Sequence, residues 1–344
     1  KSTGYHSQSF LAVPMKNHEN DVIGVLQLIN AKSESSGEII PFNEEDQHLV
    51  ESLASQAAVA LTNKQLLSGH NELFNSLVQL IATAIDEKSP HTSGHCERLP
   101  VITMCLADAA HNTKEGVFKE FVMSNEDRYE LEVAAWLHDC GKLTTPEYVM
   151  DKSTKLERIV DRIELIDLRL EIIKRDAEIE KLASIINGLP NDEAIKVFDE
   201  KMTKIKDAGE FIRRHNKGGE SMHEEDINKI KTCAELRWKD KNGVIQPLLT
   251  QDERDNLCIV KGTLTQEERD IINNHMVATI KMLDTLPFPK HLKNVPEDDA
   301  EHHERVDGKG FPQGLTKEEM SVRARMMAIA DVFEELTARD RPYK

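Results

Sequence analysis

The chain lacks several things that would have set its class at once. No apolar run approaches the ~18 residues that a membrane-spanning helix needs, and no signal peptide opens it, so a cytoplasmic location and no membrane partner are expected. Positive charge is scarce: 44 Lys and Arg stand against 61 Asp and Glu, a formal net charge of −17. That balance argues against DNA as a partner, because neutralising phosphates along a duplex needs a basic surface. The five cysteines include no C-x-x-C pair and are odd in number, which excludes a zinc ribbon or a disulfide framework and fits free thiols. Aromatics make up only 5%. What is present instead is charge, at 31% of residues, and 14 histidines in a chain of 344, long enough for two domains.

The N-terminal stretch is β-rich. Residues 9–15 and 21–30 flank a polar turn and predict a hairpin. Asn43 stands as a helix cap before Glu44, Glu45 and Asp46. Helical periodicity then runs to about Lys88, with Ser68-Gly69 a predicted kink or break. A second periodic stretch, 155–187, steps by three and four through Leu156, Ile159, Ile163, Ile166, Leu170 and Ile173. It predicts one arm of a helical hairpin whose other arm is 192–214. Between 218 and 262 the pattern is mixed. Leu249-Thr-Gln-Asp-Glu-Arg-Asp255 and Leu264-Thr-Gln-Glu-Glu-Arg-Asp270 both look like Thr-capped helix starts.

Five segments supply metal-type ligands. His91 and His95 lie four apart at a helix entrance marked by Pro90 and Gly94. His138-Asp139 ends the apolar run Trp136-Leu-His-Asp-Cys-Gly-Lys142, where Gly141 offers a tight turn and Lys142 a cation suited to a phosphate oxygen. His275 sits in a helical run, where a hydrogen-bonded core histidine is the blander reading. His302-His303 follow the acidic run 297–301, which leaves a solvated pair open. Asp331 interrupts Met326-Met-Ala-Ile-Ala-Asp-Val-Phe333; an ionised carboxylate there costs several kcal/mol unless a cation compensates it.

Together these words resemble one family, the HD-GYP phosphodiesterases. The carrying residues are His95-Cys-Glu-Arg98, His138-Asp-Cys-Gly-Lys142, His275, His302-His-Glu-Arg-Val-Asp-Gly-Lys-Gly-Phe-Pro312, and Ala330-Asp-Val-Phe-Glu-Glu-Leu-Thr337 with Arg341-Pro-Tyr343. The opening, with Phe10-Leu-Ala-Val-Pro-Met, Val22-Ile-Gly-Val-Leu-Gln-Leu-Ile-Asn30 and Phe42-Asn-Glu-Glu-Asp46, resembles the second half of a GAF domain.

The expected fold is thus mainly α: a helical HD-type bundle with a largely helical insertion at 157–262, preceded by a partial α/β GAF domain (1–66) and a connecting helix (67–87). The HD-GYP-like domain would span 88–344. The resemblance implies hydrolysis of a cyclic dinucleotide, c-di-GMP to pGpG and on to GMP, by a hydroxide bridging two metals, with iron or manganese the family's usual ions. It implies metal ligation by His95, His138, Asp139, His275, His302, His303 and Asp331, with Asp139 bridging. Catalytic roles fall to Asp139 and Lys142, and substrate contacts to Lys142, Arg341, Asp307, Gly308 and Gly310.

This chain departs from the family pattern in four places. Phe311 replaces the family's Tyr. His91 stands where trinuclear members have a Glu, so a third metal is the alternative to two. About 105 residues are inserted, expected to pack beside the site. The chain stops at Lys344 where the family continues, so a fragment is expected. Alternative readings keep the metals but take 3′,3′-cGAMP or another phosphate ester, or make the protein a non-catalytic signalling scaffold. Homodimerisation through the GAF module and connecting helix is expected, with the Gly-Phe-Pro loop or the insertion as further partner surfaces.

Overall fold

A computed structural model describes residues 6–88, 94–219 and 221–338. Contacts divide the chain into two compact units, Lys1–Leu77 and Val78–Lys344. In the first, β1 (Phe10–Lys16) and β2 (Val22–Ile29) form the expected antiparallel hairpin, with Phe10 opposite Ile29 and Val13 opposite Leu26. Asn20 takes a positive φ of 65° in the turn. The short strands β3 (Ala31–Lys32) and β4 (Ile39–Ile40) make a second ladder. Val13 and Leu26 pack on Val50 and Ala54 of the helix that follows.

That helix, α1 (Glu44–Lys88), has 45 residues and begins with a reciprocal cap. The Asp46 amide donates to Asn43 Oδ1 at 2.8 Å, and the Asn43 amide donates to Asp46 Oδ2 at 3.0 Å. The expected break at Ser68-Gly69 is absent: α1 continues through both. A lone glycine costs only ~1 kcal/mol in a helix, too little to interrupt so long a hydrogen-bond ladder.

In the second unit, α2 (His95–Asn112), α3 (Asn125–Leu137) and the short α4 (Glu147–Met150) precede the insertion. The insertion contains α5 (Ile163–Ile186), α6 (Asn191–Asn216), α7 (Glu224–Ala234), the hairpin β5 (Arg237–Lys239)–β6 (Ile245–Pro247), and α8 (Gln251–Leu257). It has its own core, including Ile166, Leu170, Ile205, Phe211, Ile230 and Leu248. The helical hairpin is as expected, but its first arm starts at Ile163 rather than 155. Residues 155–162 are held elsewhere: the Leu156 amide donates to Asn216 Oδ1, and Asp161 Oδ1 accepts from the Ile163 amide. One bond to a distant residue and one local side-chain bond replace the helical ladder, although the apolar spacing would have suited it.

The chain returns through α9 (Gln266–Leu283), α10 (Val295–Glu301) and α11 (Val322–Thr337). Both echoing Thr segments form full capping boxes, Thr250 with Glu253 and Thr265 with Glu268. Leu99 of α2, Ala135 of α3 and Ala330 of α11 share one buried cluster. The helices that bear His95 and Asp331 and the one that His138 follows are thereby packed together.

Candidate metal centre

Each ligand-type residue reaches the centre from an element end or a helix face. His95 is the first residue of α2, and Gly94 before it has φ +74°, a left-handed turn that suits glycine. His138 follows the end of α3, and Asp139 leads into a 3-10 helix over Cys140–Thr144. His275 lies in α9, His302 and His303 follow α10, and Asp331 lies inside α11.

They converge. His95 Nε2 lies 3.1 Å from His138 Nε2, 3.3 Å from Asp331 Oδ1 and 3.7 Å from Asp139 Oδ2. Asp139 Oδ2 is 3.0 Å from His138 Nε2, and Asp139 Oδ1 is 3.3 Å from His275 Nε2. Three overlapping donor groups result: His95, His138 and Asp139; Asp139, His275 and His303; His302, His303 and Asp331. Asp139 belongs to the first two, and His303 to the second and third. The reading of His302-His303 as a solvated pair does not hold: His302 is 3% exposed and His303 half-buried, next to Asp298 and Asp299 with no exposed surface, although Glu297 is exposed. Asp331 is no helix cap; it stands inside α11 among buried neighbours.

The histidines are oriented from behind. His138 Nδ1 donates to the Ala135 carbonyl, His302 Nδ1 to that of Asp299, and His275 Nδ1 to that of Ile272, each three residues earlier. Each bond leaves an Nε2 lone pair facing the cluster, the arrangement typical of metal-ligating histidine. His95 instead uses Glu334: Nδ1 donates to Oε2 at 2.6 Å, while Arg98 holds Oε1 at 2.6–2.8 Å.

Several polar atoms are left over. Asp139 Oδ1 and the Nε2 atoms of His275, His302 and His303 are buried without a hydrogen-bond partner among the described residues. Four such atoms pointing at one another are costly unless cations sit between them. The imidazole and carboxylate donors suit a divalent transition metal, so the residues present fit such ions.

Protonation reflects the same geometry. Burial pushes His303 down to about 4, against the pull of Asp139 and Asp331. Burial, with His303 and His138 alongside, holds His302 well below its ordinary value. His95 goes the other way: burial would lower it, but the neighbouring carboxylates of Asp139, Asp331 and Glu334 hold it up at about 11. Burial would raise Asp139, but the Lys142 ammonium, with the His138 and His275 rings alongside, outweighs that and holds it well below the ordinary carboxylate range. Lys142 Nζ donates to Asp139 Oδ2 at 2.6 Å.

The remaining expected residues sit apart from the donor cluster or outside the description. Asp307 pairs with Arg305 at 2.7 Å on an exposed loop and accepts the Lys309 amide. Gly308 has φ +73°, and Gly310 is pressed against backbone, where a Cβ would lie 2.3 Å from the Arg305 nitrogen. Phe311 stacks on His303, with ring centroids 5.0 Å apart. His91 and Arg341 lie outside the described residues.

Sequence reasoning missed Glu334, Glu304 and Asp299. Glu304 accepts the amides of Gln313, Gly314 and Leu315 and so shapes the loop after Pro312. Asp299 is buried without partners for either oxygen among the described residues, and its pKa is raised well above the ordinary range by burial and by Asp298 and Asp139. The signal for Glu334 was its place three residues after Asp331, one helical turn along the same face.

Comparison with known proteins agrees with this geometry. An HD domain family matches residues 252–344 and a GAF domain family residues 2–61. The HD match contains His275, His302, His303 and Asp331, whereas His95, His138 and Asp139 precede it. The chain is 40% identical over 83 residues to a cyclic di-GMP phosphodiesterase of Pseudomonas aeruginosa, covering 24% of this chain and 19% of that protein. It is 36% identical over 90 residues to a cyclic di-GMP phosphodiesterase of Thermotoga maritima, 26% of this chain and 24% of that one. A 3′3′-cGAMP-specific phosphodiesterase of Vibrio cholerae is 32% identical over 108 residues, 30% of this chain and 21% of its own. The matches thus span about a fifth to a quarter of those relatives' lengths. An HD domain implies divalent-metal binding. The chain accordingly combines an HD domain, similar to those of cyclic-dinucleotide phosphodiesterases, with a GAF domain at its N-terminal end.

Proposed function

We propose that this protein is a metal-dependent phosphodiesterase that opens c-di-GMP to the linear pGpG. The observation that carries the reading is the set of unpartnered buried donors around Asp139. In this reading two divalent ions, iron or manganese, are held by His95, His138, Asp139, His275, His302, His303 and Asp331, with Asp139 shared. When bound, such ions supply Lewis acidity toward phosphoryl oxygens and lower the pKa of a coordinated water.

The chain's own groups do the rest. The backbone carbonyls behind His138, His275 and His302 fix which ring nitrogen is free. Lys142, one-fifth exposed and anchored on Asp139, can turn its ammonium toward a phosphate oxygen as charge develops there. Phe311 walls one side of His303 and limits water on that flank. Arg341, Asp307, Gly308 and Gly310 are proposed substrate contacts. The proposed domain limits are 1–66 for the GAF portion, 67–87 for the connecting helix and 88–344 for the catalytic domain, with the insertion at 157–262. The proposal includes a homodimer formed through the first 87 residues.

A second reading, hydrolysis of 3′,3′-cGAMP, is favoured by the similarity to the Vibrio cholerae enzyme. Metal content, with product identity from c-di-GMP and 3′,3′-cGAMP for wild type and Asp139→Ala, tests both. Metal-loaded wild type that cleaves neither nucleotide would overturn the enzymatic reading.

A further inference from the structure

We infer that Lys88, the last residue of α1, is a positioning residue that straps the end of that helix to the loop bearing Asp139 and Lys142. The inference rests on the phosphodiesterase reading for the consequence in turnover. The Lys88 ammonium donates to three backbone carbonyls: Lys142 at 2.9 Å, Leu143 at 2.6 Å and Thr145 at 2.6 Å. Lysine has three N–H donors, and all three are used on one turn of chain. Those carbonyls belong to the closing end of the 3-10 helix Cys140–Thr144, the end with excess negative dipole that attracts a cation.

The other side of this loop is already fixed. The Gly141 amide donates to Thr279 Oγ1 at 2.9 Å, and a Cβ on Gly141 would come within 2.0 Å of the His275 carbonyl oxygen. The loop is therefore clamped between α9, which bears His275, and the Lys88 side chain. Residue 142 takes part twice: its carbonyl receives Lys88, and its own ammonium holds Asp139.

Lys88 is also placed to move with its helix. Val78, Ala82 and Ile85 form a buried stripe at spacings of four and three, and Lys88 continues it by three more. Two residues before the end, Asp86 accepts the Cys96 amide, next to His95. A rotation or axial shift of the last turns of α1 carries the strap with it, and the reach of Lys142 toward substrate changes. Lys88 bonds to backbone carbonyls and to no side chain of the donor cluster, so the strap is expected to adjust rate rather than metal occupancy.

The test compares wild type, Lys88→Met, Lys88→Gln and Lys88→Arg as full chains. Metal stoichiometry, c-di-GMP turnover, and amide hydrogen exchange over 139–146 are measured on each. The expected result for Lys88→Met is unchanged metal content, kcat lowered roughly 10- to 100-fold by misplacement, KM within about twofold, and faster exchange over 139–146. Lys88→Arg should recover most of the kcat. Lys88→Gln, which keeps an uncharged donor, should fall between and serves if the Met variant does not fold. Wild-type kcat together with wild-type exchange in the Met and Gln variants would overturn the strap. A wild type that binds metal yet cleaves nothing, with exchange still quickened in Lys88→Met, would sink the enzymatic reading and leave the strap standing.

Discussion

Two buried polar clusters lie close together in sequence and differ in one respect. Around Lys152, everything is matched: its ammonium donates to Asn256 Oδ1 at 2.8 Å and to Glu268 Oε1 and Oε2 at 2.9 and 2.7 Å. Lys155 nearby gives its ammonium to the carbonyls of Leu257 and Ile259. Around Asp139, four buried donor atoms find no hydrogen bond among the described residues. Burial of charge is common to both, so burial alone does not mark a site. A cluster whose atoms satisfy one another holds the fold together, here by joining the insertion's end to the start of α9. A cluster whose atoms are oriented from behind but unmatched in front is arranged for something external.

The sharpest way to break this contrast is to remove a group from each side. Asp139→Ala should abolish turnover by on the order of 1000-fold or more, because the shared ligand and the anchor of Lys142 go together. Metal content should fall in the same variant while the far-ultraviolet circular dichroism stays unchanged; full metal occupancy in Asp139→Ala would contradict the bridging role. Lys152→Met should do the reverse. Leaving the buried Glu268 carboxylate without its cation, held only by the Thr265 amide, should cost about 3 kcal/mol in denaturant unfolding, and metal content per folded molecule should stay near that of wild type.

Smaller changes sharpen the boundary. Thr265→Ala removes the hydroxyl that caps α9 and should cost about 1 kcal/mol; no loss of stability would mean that the Lys152–Glu268 pair alone sets the helix start. The least effect should come from Glu253. Burial would raise its pKa, but hydrogen bonds from Arg169 and from the Thr250 amide outweigh that and leave it lowered from 4.5. A depressed acid stabilises the fold above its unfolded pKa and loses that contribution as pH falls through the folded value. Glu253→Gln should thus unfold more easily than wild type at neutral pH, with the gap closing below about pH 4.5. Trp238, under Arg169 at 5.8 Å, is a fluorescent reporter for this region; a gap that widens in acid would refute the assignment.

Much of this was legible in the residues. Asn43, Thr250 and Thr265 announce their helices because a cap is a local interaction, complete within four residues. His138-Asp139 and Asp331 were readable because each puts a polar group where neighbouring apolar residues demand burial. The start of α5 was not, since Leu156 is apolar and correctly spaced yet is tied to Asn216, 60 residues on. Glu334 was passed over as one acid among many; its partner His95 lies 239 positions away. The continuity of α1 through Gly69 was missed because one weak position was weighed without the long ladder around it. Burial of 298–302 was hidden by its acidic composition, which Arg323, Ser321 and the donor cluster make tolerable.

The three histidines that lean on carbonyls one turn behind them have a further consequence. Their free nitrogens are aimed by the helices' own backbones, so emptying the centre leaves no slack for the rings to swing into. Ions stripped by a chelator should return at the pace of diffusion and dehydration, with no slow rebuilding of the chain, and successive rounds of stripping and refilling should leave the protein unchanged.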